Sequence, residues 1–120
     1  MITSYEDLEI YQQSYKLSLE IHKITQKYPE YERYEIGSQL RRAAISIPLN
    51  IAEGYGKKDS AAEFKRFLNI AQGSSNEMKV LVSLSKDLGY IDNETYERIA
   101  ESYTALGKRI NTLLKIWKQF

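Results

Sequence analysis

Cysteine is absent from this 120-residue sequence, histidine occurs once and proline twice. With no thiol there is no disulfide framework, no thiolate zinc site and no cysteine nucleophile, so the fold rests on packing and a reducing cytoplasm is the expected setting. The lone imidazole, His22, has no second histidine or cysteine to share a transition metal. Leu19 stands three residues before it, so the Glu-x-x-His pattern of di-iron bundles is also missing. His22 is therefore read as an ordinary surface or boundary residue. Charge of one sign is lacking too: 17 Lys and Arg against 16 Asp and Glu leave +1, which excludes a chain-wide electrostatic hold on nucleic acid or membrane. No apolar run approaches the roughly 18–20 residues of a membrane span, and the acidic opening MITSYEDLEIY is unlike a basic signal-peptide start. The expectation is a single domain over residues 1–120, not an enzyme, with no cofactor, no metal and no membrane partner.

Six glycines and two prolines also mean few turns. Breaks fall at Tyr28-Pro29-Glu30, at Gly54 to Asp59 and at Gly89 to Asn93, leaving four segments. Ile10, Ser14, Leu17, Ile21, Ile24 and Tyr28 recur at three- and four-residue steps behind an acidic Ser4-Tyr5-Glu6-Asp7 start, as on one helical face. Ile36, Leu40, Ala43, Ala44, Ile47 and Ile51 form a second stripe, with Pro48 inside it expected to kink the helix near Ser46 or split it. Ser60-Ala61-Ala62-Glu63 reads as a capping box opening a third helix that ends at Leu88-Gly89. After an Asp92 cap, Tyr96, Ile99, Tyr103, Leu106, Ile110, Leu113, Trp117 and Phe120 make a heptad seam. No alternation of period two persists. The spacing predicts an all-α, antiparallel up-down-up-down four-helix bundle, with helices at about 5–28, 32–55, 60–88 and 93–118.

Apolar surface exceeds what one bundle core needs. The third helix carries a stripe of Phe64, Leu68, Ala71, Ser75, Met78 and Val82 beside a second of Phe67, Ile70, Ser74, Leu81, Leu84 and Leu88. Leu8, Tyr11 and Tyr15 flank the main stripe of the first helix in the same way. Ten tyrosines, apolar in body and polar at the tip, suit a half-wet boundary between subunits. Gly73-Ser74-Ser75 places small residues in mid-helix, as for a tight crossing.

Gly54-Tyr55-Gly56-Lys57-Lys58 lacks the spacing of a phosphate loop and follows a helix, so it reads as two glycines ending one helix before the next. Four blocks of the chain, 1–35, 36–76, 77–101 and 102–120, carry −3, +3, −3 and +4. Antiparallel folding brings Lys57, Lys58, Lys65, Arg66, Lys115 and Lys118 to one pole, together with Glu6, Asp7, Glu9, Glu53, Asp59 and Glu63, which largely cancel them. Trp117 and Phe120 among Lys115 and Lys118 keep a stacking mode open for a single strand, although the heptad accounts for both aromatics.

The run Ser38 to Gly54, SQLRRAAISIPLNIAEG, resembles the signature of the bacterial four-helix bundle proteins called 23S rRNA intervening sequence proteins. EFKRFLNIAQGSSNE at 63–77 and KDLGYI at 86–91 resemble later motifs of the same family in order; Leu49 departs from the pattern, where relatives often carry serine. The resemblance implies a left-handed antiparallel bundle, and relatives that form five-membered rings make a homo-oligomer, a pentamer, the expected assembly. It implies no enzymatic activity. Gln39, Arg41, Ser46, Pro48, Asn50, Glu53, Gly54, Gly73, Ser74 and Glu77 are the expected structural or interface signature. Asn50 is placed to bond carbonyls that Pro48 frees, and one of Arg41 and Arg42 must reach solvent or a carboxylate. The expected function is a self-associating interaction or scaffold module. The alternative, taken from relatives that serve retroelements, is an RNA- or DNA-binding accessory using Arg41, Arg42, Lys57, Lys58, Lys65 and Arg66.

Overall fold

Caps and glycines decide where the helices stop. The structure, a computed structural model, describes residues 1–117. Its helices are α1 Glu9–Thr25, the single turn α2 Glu30–Arg33, α3 Ile36–Gly56, α4 Ala61–Asp87 and α5 Asn93–Ile116, and no strand occurs among the described residues. Phe120 of the heptad seam and Lys118 of the basic pole lie outside them, as does the last residue of the expected fourth helix.

Ser4 and Asp7 do form a capping box, but around a 3-10 turn at Tyr5–Asp7. The Asp7 carboxylate accepts the N–H groups of Thr3 (2.8 Å) and Ser4 (3.1 Å), which holds it below the ordinary carboxylate pKa, and Leu8 is extended (φ −76°, ψ 129°) so that its side chain is buried. The long helix therefore begins at Glu9 rather than Tyr5. It also ends before Tyr28, because Pro29 disfavours helical backbone in the residue ahead of it. The expected second helix is likewise divided. One turn, α2, precedes a break at Tyr34 and Glu35, and α3 then runs unsplit through Pro48 to Gly56. Pro48 cannot donate to Ala44, and Asn50 does not supply the missing donor: its Nδ2 donates to the Ser46 carbonyl (2.7 Å) and to Ser46 Oγ (3.0 Å).

Helix α4 opens as expected, with Ser60 Oγ accepting the Glu63 N–H at 3.2 Å, but the Glu63 carboxylate turns to Arg66 (3.0 Å) instead of back to the cap. It closes on Gly89, the one residue among those described with positive φ (+83°), where Gly89 N–H meets Lys86 O and Tyr90 N–H meets Ser85 O, both at 2.9 Å. Asp92 Oδ1 caps α5 through the Thr95 N–H at 2.7 Å.

The four long helices form an antiparallel bundle in which α1 neighbours α3, α3 neighbours α4, α4 neighbours α5, and α5 returns to α1 least closely. Its extents are 47 × 22 × 22 Å, the long axis set by α4, whose 27 residues span about 40 Å at about 1.5 Å each. Ile21, Leu40, Ile47, Ile51, Phe64, Leu68, Met78, Ile99, Tyr103, Leu106 and Ile110 fill the centre. The close crossing lies at Gly54, not at Gly73. A Cβ on Gly54 would stand 2.8 Å from Phe67 Cβ and 3.0 Å from Phe64 Cδ1, whereas one on Gly73 would meet nothing within 4 Å.

Candidate interaction surface

Helix periodicity puts more apolar residues on α1 and α3 than the core accepts. Tyr15, Leu19, Ile45 and Leu49 are 51%, 54%, 37% and 62% exposed. With Tyr5, Tyr11, Pro48 and Ala52 they line a groove of about 370 Å³ between α1 and α3. The Tyr5, Tyr11 and Tyr15 rings run along one wall, the first pair edge-on at 4.9 Å and the second tilted at 5.9 Å. Leu49, the departure from the signature, is the most exposed of the aliphatic residues on that wall of α3.

The surplus stripe of α4 divides. Phe67 and Leu81 are buried, Ser74 is half-buried and its Oγ donates to Ser46 Oγ at 2.9 Å, while Ile70, Leu84 and Leu88 stay 41–49% exposed. A second apolar line is therefore presented on another face of the molecule. Ser46, Asn50 and Ser74 form a polar link between α3 and α4 beneath it.

Of the residues named for nucleic-acid contact, Arg41 stands apart from the basic pole. Arg41 lies near the start of α3, and Lys57, Lys58, Lys65 and Arg66 lie beyond its other end, so about 24 Å of helix separates Arg41 from Lys57. At that far pole, carboxylates and rings occupy the cations. Lys57 Nζ is 3.6 Å from Glu53, Arg66 pairs with Glu63, and Lys57 and Arg66 also lie over the Phe67 ring, with Lys58 over Tyr55. The pairing with Arg66 holds the Glu63 carboxyl below its ordinary pKa. Trp117 meets Phe64 edge-on at 4.6 Å, so the end of α5 does reach this pole. Arg42 is exposed, as are Gln39, Gly73 and Glu77, and Lys65 is half-buried.

Arg41 instead fastens the corner where α1, α2 and α3 meet. Its Nη1 donates to Thr25 Oγ1 (3.0 Å) and its Nη2 to the Arg33 carbonyl (2.8 Å). That role was not legible from spacing, because the acceptors are a hydroxyl and a backbone carbonyl instead of the acid that an arginine invites. Among the described residues, no group of three or more histidine or acidic side chains is placed to hold a metal ion, and no helix is long and apolar enough to cross a membrane.

A family model described as 23S rRNA-intervening sequence protein matches residues 6–112, most of the chain. The chain belongs to that family. A crystal structure of a protein with unknown function from the S23 ribosomal protein family of Bacteroides thetaiotaomicron is similar to it, with 28% identity and a TM-score of 0.79. The match covers 88% of this chain and 98% of that one. No curated protein matches. Within the 23S rRNA-intervening sequence protein family, then, this member carries an apolar groove on α1 and α3, an apolar line on α4 and a pole where Lys57 and Arg66 pair with carboxylates.

Proposed function

We propose that this protein is a non-enzymatic, self-associating bundle that acts as an interaction or scaffold module in the cytoplasm, with the groove of α1 and α3 as one half of the contact. The single observation that carries this is the groove itself, whose Tyr15, Leu19, Ile45 and Leu49 side chains stand in water at 37–62% exposure. A second copy is its occupant, through Ile70, Leu84 and Leu88 of α4. Because the two surfaces lie on different faces of one chain, the contact is head-to-tail, and such contacts close into rings when the rotation divides the circle. A pentamer is the number that the family resemblance favours. Binding of RNA or DNA by the far pole has less support, since Lys57 and Arg66 already face Glu53 and Glu63.

Sedimentation at micromolar concentration tests the proposal. The expected result is an oligomer for the native chain and a folded monomer for Leu49→Asp, a change on a residue whose exposure leaves the core untouched. A native chain that sediments as a monomer overturns it.

A further inference from the structure

A second cavity, of about 310 Å³, sits at the corner where α1 ends and α3 begins, lined by His22, Gln26, Arg33, Tyr34 and Arg41. Two guanidinium groups, an imidazole, an amide and a phenol face it, and no carboxylate does. Among the described residues neither arginine forms an ion pair. Neutral oxygens position them instead. Arg33 Nε donates to the Tyr28 carbonyl at 3.2 Å, and Arg41 donates to Thr25 Oγ1 and the Arg33 carbonyl. These bonds orient the two forks without neutralising their charge. Arginines beside a helix C-terminus often serve its carbonyls alone. Here two contacts reach carbonyls and one a hydroxyl, and since each guanidinium carries five N–H donors, most of the set has no partner among the described residues.

The neighbouring acids Glu30, Glu32 and Glu35 do not line the cavity, and the Glu32 carboxylate accepts the Tyr90 hydroxyl at 2.6 Å. Lys23, Lys27 and Arg42, all exposed, follow the lining residues in sequence and add positive charge. His22 donates Nδ1–H to the Ser18 carbonyl at 2.9 Å, which leaves Nε2 as its other hydrogen-bonding atom. Tyr34 is 75% exposed and offers a ring face at the rim.

We infer that this cavity is a phosphate site. Arg33 and Arg41 take the phosphate oxygens as forked donors, and Tyr34 is the stacking surface for a base when the phosphate belongs to a nucleotide. The cavity adjoins the self-association groove, which His22 also lines, while Gln26, Arg33, Tyr34 and Arg41 lie outside that groove.

The test is a titration of the full chain with inorganic phosphate, adenosine 5′-monophosphate and adenosine, followed by the nitrogen–proton resonances of the arginine Nε and Gln26 amide groups. Saturable shifts at Arg33, Arg41 and Gln26 are expected with phosphate or the nucleotide. Arg33→Gln should weaken binding roughly tenfold, the loss of a charge-assisted hydrogen bond, while Lys65→Gln at the other pole changes nothing. Should Arg33→Gln fail to fold, Arg33→Lys serves, since it keeps the charge and loses the fork. Tighter binding of the nucleotide, lost in Tyr34→Ala, assigns a nucleotide as the source; equal binding assigns free phosphate. No saturable shift, binding unaffected by either Arg33 variant, or adenosine binding as well as its monophosphate overturns the inference.

Discussion

Replacing glycine by alanine at two helical positions should move stability in opposite directions. Glycine in a helix interior is less favourable than alanine by about 1 kcal/mol, so the substitution gains that much where space is open. Gly73 is such a position, with nothing within 4 Å of a built Cβ. At Gly54 the new methyl would stand 2.8 Å from Phe67 Cβ and 3.0 Å from Phe64 Cδ1, and neither is the loose end of a flexible chain. Phe64 is fully buried, so α3 and α4 must separate, and overpacking of that kind costs about 1–3 kcal/mol, enough to outweigh the helix gain. For 120 residues the entropy of unfolding makes 1 kcal/mol worth about 4 °C in Tm. Gly73→Ala should therefore melt about 4 °C higher than the native chain and Gly54→Ala several degrees lower, both followed by helical circular dichroism at one protein concentration, because association adds to apparent stability. A Gly54→Ala protein as stable as Gly73→Ala would refute the close crossing.

Arg41→Ala should lower stability by about 2 kcal/mol in urea unfolding, since it strips hydrogen bonds from Thr25 Oγ1 and the Arg33 carbonyl at a half-buried corner, and Arg42→Ala, at an exposed position, should change little. Burial raises the phenol pKa values of Tyr28 and Tyr103, and the bond to Glu32 raises that of Tyr90, all above the ordinary tyrosine value of about 10. Folded-state values above the unfolded one mean that their stabilisation is complete below pH 10 and is lost as pH rises past it; ultraviolet tyrosinate absorbance should show these three ionising at higher pH than the exposed tyrosines.

Most of the bundle was legible because three-four spacing is a direct image of a helical face. Every residue of the Ile36 to Ile51 stripe is buried, and Ser60, Gly89 and Asp92 end their helices where their chemistry demands. What spacing missed were competitions between local bonds. Asp7 closes a separate turn around Ser4, which starts α1 four residues late, and Thr25 and Arg33 draw Arg41 into a corner that divides the second helix. The glycines show the same limit. Gly73 in mid-helix reads as the close crossing and Gly54 as a helix end, and only the positions of Phe64 and Phe67 on the facing helix reverse the two. The apolar surplus on α1 was readable, but that Ile45 and Leu49 of α3 would share its groove depends on how the two helices are rotated.

The return of α5 to α1 has a kinetic meaning. Polar ties line that seam: Arg98 with Glu20, Arg109 with Gln13 at 2.9 Å, and Gln13 with the Ser102 carbonyl at 3.4 Å. Exposed bonds of this kind hold little free energy, while α3 and α4 share Gly54, Phe64 and the Ser46–Ser74 link. The molecule therefore resembles a book with α3 and α4 as its spine. Its covers are expected to part at α1 and α5, and amide protons along that fore-edge should exchange with solvent before those of the spine.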